Sequence, residues 1–192
     1  MSNSRNSLTY SIQNIVVKLN LKIDLNLKKI QDCLENCEYN HNRFPGLFLR
    51  VSSPKSVFII FKSGKVILTG LKRFNDIEHV LEYLIIQLNN ENVLDKQIVK
   101  NNIEKDIVNI VITADLYHRI DLNLASVLLE NAIYEPEIFP GLVYKNSNPV
   151  KSVFLIFSTG KIVFTGIDRE DNIEPCLITL GRLIKDRGLF KN

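Results

Sequence analysis

The sequence predicts an α+β fold made of two copies of one module, each with an antiparallel sheet that carries its helices on one face. The first observation is a repeat: the segment Lys55–Gly70 returns as Lys151–Gly166, with ten of sixteen positions identical. The second is that each copy has three short apolar runs separated by turns of hairpin length. The third is a helical spacing of apolar residues on either side of these runs. Two copies give an internal pseudo-dimer, since a solenoid needs about three repeats.

The predicted elements follow in the same order in both copies: strand, helix, three antiparallel strands, helix. The second copy ends in a helix with apolar positions between residues 173 and 184. The elements of the first copy are a strand at 11–20, a helix after Asp24 with apolar residues at Leu27, Ile30, Leu34 and Cys37, strands at Gly46–Val51, Ser56–Phe61 and Lys65–Thr69, and a helix with apolar positions from Ile77 to Leu88.

These elements divide the chain into four parts. We expect a polar N-terminal arm (residues 1–9), a first repeat (10–90), a polar, Asn-rich connector (91–105) and a second repeat (106–192). Each repeat is long enough to bury a core of its own.

Composition indicates a soluble globular protein that stays in the compartment where it is made. Hydrophobic residues make up 45% of the chain, and no apolar run approaches the roughly 18 residues of a membrane span. Residues 1–9 lack the apolar stretch of a signal peptide. The net charge of +3 lies in the first 95 residues, which hold 12 basic and 9 acidic side chains. This mild excess is compatible with a polyanionic partner without requiring one.

No cofactor or metal is expected. Cys33, Cys37 and His41 could be imagined as a helical metal cluster, but they lack a nearby fourth ligand and the Cys-x-x-Cys spacing of zinc sites. The simpler interpretation is that these two cysteines and Cys176 are buried thiols that act as small hydrophobic residues. An uneven number of cysteines favours a reducing compartment.

The hairpin strands do not alternate between apolar and polar residues, although antiparallel strands covered on one face normally do. Both faces are apolar in residues 57–61 and 153–157, and again in 66–68 and 162–164. Two helices per module can cover only one face, so a second apolar face is left over in each copy. Such a surface usually marks an interface. It could equally be buried by homodimerisation or by packing one module against the other.

The leftover face carries a specific set of side chains. Folding the hairpins around residues 52–54 and 147–149 pairs Phe44 with Phe61 and Phe139 with Phe157 across the strands. Amides and hydroxyls share the face with branched apolar residues. Such a surface suits the minor groove of A·T-rich DNA, whose floor offers acceptors, and it rejects the amino group that protrudes at G·C pairs. Paired aromatic rings can also enter base steps as wedges.

The sequence resembles the TATA-binding protein family over about residues 10–188. The motifs that carry the resemblance are Ile12–Val16, Tyr39–Phe44, Ser63–Lys65 with Thr69–Gly70, Tyr134–Leu142, and Ser158–Lys161 with Thr165–Gly166. The resemblance implies a curved, saddle-shaped antiparallel sheet with helices on its convex face. It also implies minor-groove binding with intercalating wedges, a mechanism for which this family is itself a standard example.

The resemblance assigns roles residue by residue. Val16, Val111, Ile59, Leu155, Ile67 and Val163 become the apolar floor. Phe44, Phe61, Phe139 and Phe157 become the wedges, and Asn14, Asn109, Thr69 and Thr165 the central hydrogen-bonding residues. The phosphate contacts would be Arg50, Lys55, Lys65, Lys151 and Lys161, and the partner-binding residues Glu135, Glu137 and Ile138.

Two departures from the family pattern concern the second copy. Val108 stands where the family has a polar residue before the second Asn, whereas the first copy has Gln13. We expect this to weaken polar contacts on one half-site. The second hairpin turn also holds one extra residue between Pro149 and Lys151, which should shift Lys151 relative to the phosphates.

The resemblance implies a general transcription initiation factor that is not an enzyme. Its partners would be A·T-rich promoter duplex, transcription factor B and the RNA polymerase pre-initiation complex, with no membrane partner. It would act as a monomer on DNA, with a weak homodimer as an option when free. The motif Phe-Pro-Gly-Leu occurs in both copies, as it does in archaeal members, which favours the cytoplasm over the nucleus of a eukaryotic host.

Two rival classes stay open at this point. Similar folds occur as accessory domains of DNA glycosylases and of some ribonucleases H, but this chain has no recurring carboxylate cluster or nucleophile and base near the Phe face. A dimeric protein could instead use the apolar face to bind a protein or lipid.

Overall fold

The computed structural model describes residues 9–90, 94 and 97–191. Within these residues the chain forms ten strands and four helices. In chain order they are β1 (Thr9–Asn20), α1 (Leu27–Cys33), β2 (Cys37–Glu38), β3 (Gly46–Val51), β4 (Ser56–Phe61), β5 (Lys65–Leu71), α2 (Asn75–Asn89), β6 (Glu104–Asp115), α3 (Leu122–Leu128), β7 (Ala132–Ile133), β8 (Leu142–Asn146), β9 (Ser152–Ile156), β10 (Lys161–Ile167) and α4 (Ile173–Asp186).

The chain divides into two compact units. The first unit is Asn14–Val108, and the second combines Met1–Gln13 with Asn109–Asn192. The strand order is β2-β3-β4-β5-β1 in the first unit and β7-β8-β9-β10-β6 in the second. The registered strand pairs within each unit are antiparallel. Each unit is therefore an α+β module with the same topology, as the repeat predicts.

Each sheet buries one face together with its helices. In the first unit, Phe58 and Ile60 of β4 are fully buried, as are Val80 and Leu84 of α2. In the second unit the equivalent core contains Phe154, whose ring stacks on that of Phe164 with centroids 4.5 Å apart. The predicted α+β class, with an antiparallel sheet and a core between strands and helices, is confirmed.

The first helix is shorter than predicted. Asn26 rather than Asp24 precedes it, and the Asn26 side chain caps it by accepting a hydrogen bond from the Lys29 amide over 3.1 Å. The helix ends at Cys33, because Leu34 is extended and Asn36 has a φ of 59° that turns the chain into β2. The two-residue edge strands β2 and β7 were not predicted, since two residues give no periodic signal.

Other expectations are met in part. Strands β3 and β4 have the predicted bounds, whereas β5 extends two residues further, to Leu71. The prediction of buried thiols holds for Cys176 and is wrong for Cys33, which is exposed; Cys37 is half-buried. No group of three His, Cys, Asp or Glu side chains suited to a metal occurs within the described residues.

The remaining expectations concern the N-terminal arm and the connector, which the structure describes only in part. Residues 1–8 of the predicted N-terminal arm, and 91–93, 95 and 96 of the predicted connector, lie outside the described residues. Within the connector, residues 100–102 form a single 3-10 turn, and β6 begins at Glu104. None of the helices that the structure describes is long and apolar enough to cross a bilayer.

Candidate nucleic-acid interface

Each sheet has a second face that its helices do not cover, which we call the open face. In the first unit it presents Val57, Ile59, Ile67 and Thr69, all partly exposed, while their strand neighbours Phe58 and Leu68 are buried. The second unit repeats the pattern with partly exposed Val153, Leu155, Val163 and Thr165. The expected second apolar face is confirmed in each unit. Strand alternation creates it, because apolar residues occupy both phases of the pleat.

Strand register defines the rows of the open face. Phe48 pairs with Ile59, and Ile59 pairs with Ile67, so the three side chains form a row across β3, β4 and β5. The equivalent row of the second unit is Val143, Leu155 and Val163. Sequence reasoning missed Phe48 and Val143. The signal that could have found them is cross-strand pairing with the predicted floor residues Ile59 and Leu155.

The predicted aromatic pairs form, but not by the predicted strand pairing. Phe61 pairs in register with Gly46, and Phe44 lies two residues before β3. Their rings nevertheless meet, with centroids 6.0 Å apart. The rings of Phe139 and Phe157 meet in the same way, with centroids 5.9 Å apart. The register was wrong by two residues, and a two-residue error keeps a side chain on the same face of the sheet.

A glycine makes room for each ring pair. A Cβ atom at Gly46 would stand 2.7 Å from Phe44 Cε1 and 3.2 Å from Phe61 Cε1. At Gly141 the distances to Phe139 Cε1 and Phe157 Cε1 would be 2.8 Å and 3.1 Å. The rings can therefore lie against the backbone only because the Phe-Pro-Gly motif has no side chain at this position.

Asn14 is held on the open face by three contacts. The Gly70 amide donates to Asn14 Oδ1 over 2.7 Å, and the Thr69 hydroxyl lies 3.1 Å from Oδ1 and 3.0 Å from Nδ2. A backbone amide can only donate, so the amide atom that faces Gly70 must be the oxygen. This fixes the orientation of the Asn14 side chain.

Asn109 is held in the same way in the second unit. Its Oδ1 accepts from the Gly166 amide and from the Thr165 hydroxyl, each over 3.0 Å. With Oδ1 occupied, the Nδ2 group is the part of the amide left to act as a donor. Each unit thus presents an oriented N–H donor among branched apolar side chains, as a floor of base-edge acceptors requires.

The predicted phosphate-binding side chains of both units are exposed. Lys65 and Lys161 each open the strand after a hairpin turn. Arg50 is already ion-paired with Glu38, its Nη2 lying 3.4 Å from the carboxylate in an exposed pair that contributes little stability. At the position of Arg50 the second unit has Lys145, which sequence reasoning missed. It pairs in register with Val153, as Arg50 does with Val57.

The extra residue of the second hairpin is accommodated in the turn before Lys151. Asn146 Nδ2 donates to the Val150 carbonyl and to Ser152 Oγ, each over 3.1 Å, and so bridges the turn. Ser152 pairs with Asn146 just as Ser56 pairs with Val51 in the first unit. Lys151 therefore precedes the first residue of its strand, as Lys55 does. Its expected shift relative to DNA phosphates stays a prediction.

Comparison with known proteins identifies the family. The model of the family described as "Transcription factor TFIID (or TATA-binding protein, TBP)" matches residues 9–90 and 104–186. The chain is 39% identical to the TATA-box-binding protein of Pyrobaculum islandicum, covering 95% of this chain and 89% of the relative. It is 43% identical to TATA-box-binding protein 3 of Methanosarcina acetivorans, covering 95% and 98%. The chain belongs to the TATA-binding protein family.

A solved structure of the TATA-binding protein family supports the same conclusion. The structure titled "Methanococcus jannaschii TBP" is 37% identical, with a TM-score of 0.82 over 92% of this chain and 98% of that one. The resemblance found in the sequence motifs is confirmed, and the family is one of transcription factors rather than enzymes. The roles of individual side chains stay predictions.

The loop before Phe139, which is predicted to bind a protein partner, has the same turn as the equivalent loop before Phe44. The amides of Ile138 and Phe139 donate to the Glu135 carbonyl, each over 2.9 Å. In the first unit the Asn40 carbonyl accepts the two equivalent bonds, each over 3.0 Å. The backbone is the same and the exposed side chains differ. The second unit has two carboxylates and Ile138, which is 80% exposed, where the first has neutral and basic residues.

Proposed function

We propose that this chain is a general transcription initiation factor that binds the TATA element of promoters through the minor groove. The observation that carries the proposal is the pair of open faces, each with an oriented Asn donor, an apolar row and a Phe pair, in a member of the TATA-binding protein family. The wedges would enter base steps and bend the duplex. Transcription factor B and RNA polymerase would then assemble on the bent complex.

The groove chemistry follows from the side chains. The Nδ2 groups of Asn14 and Asn109 would donate to the acceptors that A·T pairs present on the groove floor. The three apolar side chains of each row offer no acceptor to the amino group of guanine, so G·C pairs that face them would be disfavoured. Unstacking a base step costs a few kcal/mol, which surface contact between the open faces and the groove must offset.

We place the chain in the cytoplasm, where its archaeal relatives point, and expect it to bind DNA as a monomer. We also keep the expected boundaries of the two repeats, 10–90 and 106–192, as part of the proposal. The rival proposal of a dimeric protein that covers its open faces with a second copy makes a different prediction. Its mass in solution would stay that of a dimer when an A·T-rich duplex is added.

Selection of bound duplexes from a random pool at controlled salt tests the proposal. The expected result is enrichment of an A·T-rich element over scrambled sequence, with affinity that falls as salt rises. A protein that enriches no sequence would refute promoter recognition. Bending is tested separately on the enriched duplex by fluorescence transfer between its ends.

The partner site is tested by reversing charge in the loop of the second unit. Carboxylates suit a basic partner through steering and register. Glu135→Arg with Glu137→Arg should leave binary DNA binding nearly intact and abolish the ternary complex with transcription factor B. The matched control is Asn40→Arg with Asn42→Arg in the equivalent loop of the first unit, which should leave the ternary complex intact. Normal recruitment by the double Glu variant would remove these residues from the partner site.

A further inference from the structure

One of the differences between the two units concerns Gln13, which the unit boundaries assign to the second unit, and Val108, which they assign to the first. In the second unit, Gln13 Nε2 donates to Thr113 Oγ1 over 2.8 Å. The repeat that relates Asn14 to Asn109, an offset of 95 from 109 minus 14, places Val108 at the position of Gln13 and Lys18 at that of Thr113. The strand register supports the equivalence of Lys18 and Thr113.

Lys18 and Thr113 end the same apolar row in the two units. Lys18 pairs with Ile67 of β5, and Thr113 pairs with Val163 of β10. Lys18 is exposed, and Val108 is 46% exposed, so neither side chain is needed to fill a core. The first unit thus has an ammonium group and an isopropyl group where the second has a hydroxyl bonded to an amide.

These pairs differ in hydrogen-bonding capacity. A Lys ammonium only donates and a Val side chain does neither, so the first-unit pair has no acceptor. The Thr113 hydroxyl oxygen has two lone pairs, of which the bond from Gln13 uses one. Guanine adds an amino donor to the minor-groove floor. A donor that loses water without gaining an acceptor is costly, so that amino group is harder to accommodate beside Lys18 and Val108 than beside Thr113.

We infer that Val108 and Lys18 make the half-site read by the first unit stricter against G·C pairs than the half-site read by the second unit. The inference rests on the proposed minor-groove function and deepens it. Its consequence is that the chain itself favours one orientation on an A·T-rich element interrupted by a single G·C pair. Orientation would then depend partly on this chain and not only on a second protein.

Three duplexes give a test without labels on the protein. The first is a palindromic A·T element, the second carries one G·C pair beside the centre, and the third carries that pair and its symmetry mate. The palindrome can be bound in two equivalent orientations. One G·C pair leaves one favoured orientation, with the second unit on the G·C half, so affinity should fall by about twofold. In the third duplex, the second G·C pair forces the first unit onto a G·C pair in either orientation. About tenfold discrimination by the first unit then lowers affinity by about a further fivefold.

Exchange of the side chains between units tests the residues. Val108→Gln with Lys18→Thr makes the first unit resemble the second, and the two losses of affinity should become equal. Gln13→Val with Thr113→Lys makes the second unit resemble the first, and the first G·C pair should then cost as much as its mate. Thermal unfolding of each variant shows whether the fold is retained, which the exposure of Val108 and Lys18 favours.

The outcomes separate this inference from the proposed function. The inference is supported if the two G·C pairs cause unequal losses of affinity in the wild type and equal losses in Val108→Gln with Lys18→Thr. Equal losses in a wild-type protein that prefers A·T-rich over scrambled duplex overturn the inference and leave the proposed function standing. Unequal losses that persist in the folded exchange variant assign the asymmetry to other residues and overturn it too. A protein with no preference for the A·T element loses both proposals.

Discussion

Replacing Asn109 by Asp tests the readout with the smallest possible change of shape. Asp has the size of Asn and keeps an oxygen where Oδ1 accepts from the Gly166 amide and the Thr165 hydroxyl. What changes is the other half of the group, since Nδ2 with its two hydrogens becomes a second oxygen. The variant therefore keeps the contacts that hold the side chain, removes the proposed donor and adds one negative charge.

The expected loss can be bounded from this geometry. A good contact to a base edge contributes about 1–3 kcal/mol of discrimination, which corresponds to roughly 5- to 150-fold in affinity. The variant also places a negative charge against a groove lined by acceptors and flanked by phosphates, which adds repulsion. We expect a loss of cognate affinity in the upper part of this range, and a larger loss at low salt, where repulsion is less screened.

Fluorescence anisotropy on cognate and scrambled duplexes at two salt concentrations measures this loss. The control is Asn123→Asp, which changes net charge equally at an exposed position on α3 of the same unit. It should lower binding to both duplexes slightly and leave their ratio unchanged. If Asn109→Asp behaved like this control, with an unchanged ratio of cognate to scrambled affinity, the Asn109 amide would have no part in readout.

Other predictions concern the wedges and the thiols. Replacing Phe139 and Phe157 by Ala should reduce the DNA bend, measured by fluorescence transfer, more than it reduces residual electrostatic binding; equal bends would exclude these rings. Gly141→Ala should also reduce the bend, because its Cβ would stand 2.8 Å from Phe139 Cε1, and a normal bend would show that the ring can relocate. Cys33 should be alkylated before Cys37 at about pH 8, since burial raises the pKa of Cys37 to about 11 and keeps its thiol protonated. Mass spectrometry of partly labelled protein gives the order, and labelling of Cys37 first would contradict it.

Turn residues explain why the sequence predicts the bounds of some elements without error. Strands β3 and β4 are joined by the turn residues 52–55, which include Pro54, and both bounds are correct. Helix α1 is different, because Leu34 and Cys37 continue its apolar spacing beyond its end. What ends it is the extended backbone at Leu34 and the left-handed conformation of Asn36. Neither is visible in a periodic pattern, and tertiary packing decides between the alternatives.

In the candidate site too, the sequence pattern predicts some features, and the position of the backbone determines others. The Phe pairs and the apolar residues of the open face could be predicted because strand alternation repeats every two residues, so even a two-residue error in register left Phe44 beside Phe61. The Gly70 and Gly166 amides could not be predicted from residue type. They matter through the backbone, which places an N–H group opposite each Asn side chain.

Comparison of the two units separates the demands of folding from those of recognition. The Asn side chains that bond to the Gly70 and Gly166 amides within their own unit are the same in both copies. The exposed positions of the loop before each Phe pair differ, although its backbone bonds are the same. Folding therefore accounts for the shared Asn residues and does not account for the differences in this loop. Since Asn109 is both a structural and a proposed recognition residue, Asn109→Ala would confound the two roles. A substitution that keeps its oxygen, such as Asn109→Asp, tests recognition without breaking these bonds, and the Asn123→Asp control accounts for the change in net charge.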